Sequence, residues 1–293
     1  MNAIRSSLFM VYAIVWSIFA APPVAIGAIL LGGIWGYRLG KVWRLGMQWG
    51  IENLLGIRPK VIGQENMPKE PCVILAKHQS AWETMVLQDY TWGAYCVFVL
   101  KKELLRVPLV GWGLAAMKMI SIDRAAGKDA LDQVVTQGRE RLKQGYYVII
   151  FPEGTRVAPG QTKRYKPGGA YLATHVGCKV VPVAHDAGEY WPRQAFLKKA
   201  GTVTVSIGPA FERGMALHAT DLRVPTPNAN AEVKVNEATH AMTRTRRSVT
   251  NLRGVHLLVI YPLFSAAYNA VIVTAQLERS PCFPMVLSIP PHF

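Results

Sequence analysis

From Leu8 to Tyr37 the chain carries no charged side chain, and the run is framed by Arg5 on one side and by Arg38, Lys41 and Arg44 on the other. Such a run can enter a bilayer. A single span needs about 20 apolar residues, so this one allows either one tilted span or a pair of shorter helices. Proline removes a helical donor and pushes the preceding residue out of the α region, so a break at Pro22-Pro23 is expected. Arg5, the apolar stretch and the small residues at Ala20-Ala21 also fit a cleaved signal peptide, but the apolar run continues well past that point. Residues 1–37 are expected to form a membrane helix or helical hairpin.

Hydrophobic residues make up 51% of the chain and charged residues only 17%, a balance shifted toward membrane association. The formal net charge is +15. Its Lys and Arg residues are scattered and no nucleic-acid motif accompanies them, so anionic lipid headgroups and phosphate-bearing substrates are the expected partners, not nucleic acid. Cys72, Cys96, Cys178 and Cys282 have no short metal-type spacing and are too few for a disulfide scaffold. Reduced thiols in a cytosol-facing domain are expected.

From Val73 onward, short β-rich apolar runs alternate with helical stretches, the pattern of an α/β domain. Strands are expected over 72–76, 95–100, 120–122, 146–151, 179–184 and 202–207. Helices are expected from Ser80 to Asp89, Leu109 to Met119 (started by Pro108), Asp129 to Lys143 (closed by Gly145) and Gly168 to His175. The catalytic domain is placed at 38–213. The loop from Pro152 to Pro167 is rich in Gly, Pro, Lys and Arg, a composition that suits phosphate binding or a plain solvated loop.

Two constellations sit where a strand gives way to a loop. In Lys77-His78-Gln79-Ser80-Ala81-Trp82-Glu83-Thr84, Ser80 as N-cap puts Glu83 in the first helical turn, from which its carboxylate can reach back toward His78. A carboxylate that holds one imidazole nitrogen protonated leaves the other free to take a proton from a substrate hydroxyl. A helix start with a capping box and an incidental histidine explains the same spacing. No Gly-x-Ser-x-Gly elbow occurs, which disfavours an ordinary serine hydrolase. In Phe151-Pro152-Glu153-Gly154-Thr155-Arg156, glycine allows close backbone approach, an arginine fork can hold phosphate and a carboxylate can bind a glycerol hydroxyl. A structural Glu-Arg pair in a turn is the plainer account. Gly111-Trp112-Gly113 imitates a dinucleotide fingerprint, but a tryptophan fills its turn and no clear strand runs into it. Lys163-Arg164-Tyr165-Lys166 reads as a phosphate patch or a solvated basic loop, and His175 and His185 as core or surface histidines.

His78 separated by four residues from an acid, Lys101-Lys102-Glu103-Leu104 leading through Pro108 and Gly111 to Ile122-Asp123-Arg124, the Phe-Pro-Glu-Gly-Thr-Arg turn, and Val181-Pro182-Val183-Ala184 follow one another in order. Together they resemble the 1-acyl-glycerol-3-phosphate acyltransferase family of bacterial type, over about residues 40 to 210. The resemblance implies a mixed, largely parallel sheet flanked by helices. It also implies transfer of a fatty acyl group to the sn-2 hydroxyl of a lysophosphatidate-like lipid, giving phosphatidic acid. It makes His78 the general base, Glu83 its partner acid, and Lys102 and Arg124 contacts to the acceptor phosphate. Glu153, Gly154, Thr155 and Arg156 become the acceptor-binding turn, and Val181 and Pro182 shape the acyl or acceptor pocket. No metal or cofactor is implied; the acyl donor is acyl-CoA or acyl-carrier protein. The expected location is the inner membrane, with the catalytic domain facing the cytoplasm. In one departure, the family's usual aspartate is here Glu83.

Beyond about Gly214 the family pattern ends. Residues 214–293 read as a divergent tail, and Gly254 to Leu277, free of Asp, Glu, Lys and Arg, reads as a further membrane segment or as chain without fixed structure. The same motifs would serve an enzyme for another lysolipid acceptor, such as a lyso-ornithine lipid. A catalytically silent lipid-binding protein is the rival from another class.

Overall fold

The computed structural model describes residues 1–90, 95–107 and 110–211. Pro108, Leu109 and the expected tail segment 214–293, with its possible membrane stretch 254–277, lie outside the described residues.

Helix α1 (Asn2–Leu31) runs unbroken through Pro22 and Pro23. The expected break is displaced to Gly32, whose φ of 76° and ψ of 176° belong to a region that essentially only glycine enters. The prolines forfeit helical hydrogen bonds, but the turns after them are held by packing: Ala25 and Ala28 are buried, with Gly113 against Ala25 and Gly36 against Ala28. Helix α2 (Gly33–Gly50) returns antiparallel beside α1 and crosses the position where the catalytic domain was expected to begin. Tyr12 Oη donates to Gly46 O at 2.8 Å, Trp16 Nε1 to Trp43 O at 3.0 Å, and Trp43 Nε1 to Ser17 Oγ at 3.1 Å. One further π-helical turn, Ile51–Leu55, ends at Gly56 in the left-handed region.

The rest of the chain follows as β1 (Ile57–Ile62), β2 (Val73–Ala76), α3 (Trp82–Val86), β3 (Cys96–Lys101), α4 (Val110–Ala116), β4 (Ile120–Ile122), α5 (Lys128–Lys143), β5 (Tyr147–Ile150), α6 (Gly168–Val176), β6 (Val180–His185), α7 (Ala187–Tyr190) and β7 (Gly201–Ile207). The strands form one sheet in the order β1-β7-β6-β2-β5-β3-β4. Every pairing is parallel except β6 with β7. This is a mixed, largely parallel sheet flanked by helices.

Side chains along a strand alternate between faces, and β2 sorts its residues that way. Ile74 and Ala76 join Trp82, Ile149, Val181 and Ile51 on the face covered by the hairpin and α3. Val73 and Leu75 join Val134, Leu142 and Leu172 on the face covered by α5 and α6. Strands β2, β5 and β6 are buried on both faces, which is why they read as continuous apolar runs. Because β2, β5, β3 and β4 are parallel neighbours, the loops that leave their C-terminal ends gather along one edge of the sheet, where α/β sites form.

Candidate active site

Two of those loops leave the adjacent strands β2 and β5, and they interlock. His78 Nδ1 lies 2.9 Å from Glu83 Oε1. An ionised carboxylate only accepts, so Nδ1 carries the proton and Nε2 is the nitrogen left for chemistry. Glu83 is fully buried, and its oxygens also accept from the backbone N–H groups of Gln79 at 2.8 Å and Ser80 at 2.8 and 3.1 Å. Burial alone would raise its carboxyl. Neighbouring His185, the hydrogen bond and charge of His78 and the Ser80 N–H outweigh that and hold it at about 2. The imidazole stacks on Phe151, with ring centroids 4.2 Å apart and planes 15° from parallel.

Ser80 falls one residue before the N-cap Ala81, and its Oγ accepts from the Trp82 N–H at 3.1 Å. Backbone amides at the start of a helix are natural donors to an oxyanion. Those of Gln79, Ser80 and Trp82 are instead committed to Glu83 and Ser80 Oγ.

Glu153 is also fully buried. Its Oε1 accepts from Lys77 Nζ at 2.8 Å and its Oε2 from the His78 N–H at 2.6 Å. The carboxylate expected to touch a glycerol hydroxyl is therefore spent on joining the two loops, and Lys77, which sequence reasoning passed over, is its partner. Further ties lock the same backbone: Val157 N–H donates to His78 O at 2.8 Å, His185 Nε2 to Lys77 O at 2.8 Å, and Gly188 N–H to Gln79 Oε1 at 3.2 Å. His185 is completely buried beneath the loop.

Gly154 turns the second loop with φ 67°. Its carbonyl accepts from Arg124 Nη1 at 3.0 Å, and the Lys166 side chain runs close beside it. Partial burial and the charges of Arg124 and Lys163 hold the Lys166 ammonium below its ordinary 10.5. Like charges held together in this way suit an anionic ligand. Thr155 is half-buried on this turn and Arg156 is buried, its carbonyl accepting from Arg193 Nη1 at 3.2 Å. Lys102 stands at the neighbouring strand end, paired with Asp123. Val181 is fully buried in the core with Ile74 and Trp82, and Pro182 O accepts from the Gly208 N–H at 2.9 Å. Among the described residues, no three His, Cys, Asp or Glu side chains converge as a metal site would require.

Residues 58–186 match the family model described as Acyltransferase. Over 163 residues, 56% of this chain and 63% of the relative, the sequence is 50% identical to a 1-acyl-sn-glycerol-3-phosphate acyltransferase of Pseudomonas aeruginosa. Over 144 residues it is 33% identical to the human 1-acyl-sn-glycerol-3-phosphate acyltransferase alpha, covering 49% of this chain and 50% of that protein. The chain thus spans about half to two thirds of the length of these curated relatives. In three dimensions the chain shares the fold of the Thermotoga maritima 1-acyl-sn-glycerophosphate acyltransferase PlsC, with a TM-score of 0.53 at 24% identity over 72% of this chain and 87% of that one. Both interlocked loops fall within the residues matched by the family model.

Proposed function

We propose that this protein transfers a fatty acyl group from acyl-CoA or acyl-carrier protein to the sn-2 hydroxyl of 1-acyl-glycerol-3-phosphate, giving phosphatidic acid. The observation that carries the reading is the His78–Glu83 pair, which leaves Nε2 as a base, set at the same sheet edge as the Gly154 turn with Arg124 and Lys166. Nε2 takes the proton as the acceptor hydroxyl attacks the thioester carbonyl, and Glu83 stabilises the imidazolium that forms. As the C–S bond breaks, the thiolate leaves with that proton. No acyl-enzyme is needed. Arg124 and Lys166 hold the acceptor phosphate, with Lys102, Thr155 and Arg156 around them, and much of the acceleration comes from fixing the hydroxyl beside His78.

The hairpin lies in the plane of the cytoplasmic leaflet of the inner membrane. Helix α1 is long and apolar enough to cross a membrane, yet both its ends rest on the domain. Ser6 Oγ accepts from the Lys198 N–H and Phe9 packs edge-on to Trp191 near the start, while Ala25 meets Gly113 near the end. A helix held to the domain at both ends cannot also traverse a bilayer, and its outer row, Ile4, Leu8, Val11, Val15, Ile18 and Ile26, is exposed and apolar.

The test is acyl transfer from labelled acyl-CoA and from acyl-carrier protein to lysophosphatidate by detergent-solubilised protein, beside His78→Ala. Transfer reduced roughly 100-fold or more by the substitution is expected. Transfer with neither donor from folded protein, or transfer to lyso-ornithine lipid alone, overturns the acceptor.

A further inference from the structure

Between α7 and β7 the chain makes a surface loop, Trp191 to Ala200, that none of the sequence motifs touches. At its tip Phe196 and Leu197 are each about half exposed, at 51% and 52%. Adjacent apolar side chains on a slack loop would fold inward. Here the backbone is pinned: Lys199 N–H donates to Tyr190 O at 2.8 Å, Ala195 N–H to Pro192 O at 3.2 Å, and Lys198 N–H to Ser6 Oγ at 2.9 Å. The buried Lys198 side chain folds back so that its Nζ donates to Phe196 O at 2.8 Å and lies 5.1 Å from the centre of the Trp191 ring. Gln194 is held at φ 59°, a conformation unfavourable for any residue with a Cβ and kept only where the surroundings impose it.

We infer that Phe196 and Leu197 form a second membrane wedge, which inserts into a bilayer bearing anionic phospholipid. This rests on the reading of the hairpin as membrane-lying. The loop is continuous with that surface: the Lys198–Ser6 bond seats it on the first turns of α1, where Met1, Ile4 and Leu8 are exposed. Its charge is complementary as well. Lys199 is exposed two residues after Leu197, and Arg5 and Ala200 both lie against Gly56 at the loop's far end. Apolar tips beneath the headgroups with cations at phosphate level are the arrangement an interfacial segment adopts. Arg193, on the same loop, donates to Arg156 O, so the wedge is bonded to the turn proposed to hold the acceptor phosphate and sets the depth at which that turn meets lipid.

The experiment is sedimentation of the full chain with vesicles of phosphatidylcholine and phosphatidylglycerol, comparing wild type, the double variant Phe196→Ser/Leu197→Ser and the α1 variant Val11→Asp/Val15→Asp. The loop variant is expected to lose roughly tenfold in partitioning while its acyl transfer to detergent-dispersed lipid stays at wild-type level. Wild-type binding by the loop variant while the α1 variant is released overturns the wedge and leaves the hairpin reading standing. Undiminished binding by the α1 variant overturns the hairpin reading itself. Leu197→Trp gives a readout independent of any loss: added emission quenched by chain-brominated lipid supports insertion, and unquenched emission overturns it. If the loop variant keeps its vesicle affinity but raises the KM for acyl-carrier protein, the surface belongs to a protein donor and the wedge is wrong.

Discussion

Glu83 closes three hydrogen bonds with one oxygen, to His78 Nδ1, Gln79 N and Ser80 N. Shortening it to aspartate withdraws the carboxylate by roughly 1.5 Å, one C–C bond. Glu83→Asp is therefore expected to lower kcat by about 10- to 100-fold with little change in KM, read from initial rates at saturating acceptor. Because the folded carboxyl sits at about 2, below its ordinary 4.5, the stability it contributes is complete above 4.5 and is lost as pH falls from there toward 2. Glu83→Gln should flatten that part of the acid limb in denaturant melts taken between about pH 6 and pH 3. Lys77 and Glu153 are a buried pair, 6% and 0% exposed. Removing either partner strands a charge and should cost about 3–5 kcal/mol, and the double variant Lys77→Met/Glu153→Met should recover much of that in thermal melts. The His78–Glu83 relation was legible because it is local, five residues apart on one strand-to-helix turn. Lys77 and Glu153 stand 76 residues apart and meet only because β2 and β5 are neighbours, so no spacing in the sequence announces them.

Among the elements, the central strands declared themselves because burial on both faces leaves only apolar side chains. Strand β1 went unread for the opposite reason. It pairs only with β7, its Arg58 and Lys60 face water and Pro59 interrupts it, which an edge strand tolerates and an interior one does not. The hairpin turn was misplaced because proline's local penalty is visible in sequence while the packing of Ala25 and Ala28 is not. Gly32 makes the actual turn in a glycine-only conformation, and a Cβ there would meet no neighbouring atom. Gly32→Ala thus isolates backbone strain: about 1–3 kcal/mol of stability should be lost, seen as a lowered melting midpoint, with the dyad's kinetics unaltered in the protein that remains folded.

On the scale of the molecule, the apolar N-terminus is a wall of the core as much as a proposed anchor. Phe9, Ala13, Met47 and Ile51 belong to the same buried cluster as Trp82 and Val181. Deleting residues 1–50 should yield an insoluble chain instead of a soluble enzyme, and a soluble, active truncation would show the hairpin to be dispensable. The sheet order adds something about birth. Strand β1 has β7 as its partner, and α1 rests on Trp191 and Lys198, so elements that leave the ribosome early are completed by nearly the last of the described ones. At roughly 5–20 residues per second, translation keeps the greasy hairpin waiting for many seconds without its mate. During that interval the only cover of matching character is lipid, so the membrane this protein is proposed to serve would also be the surface on which it is first assembled.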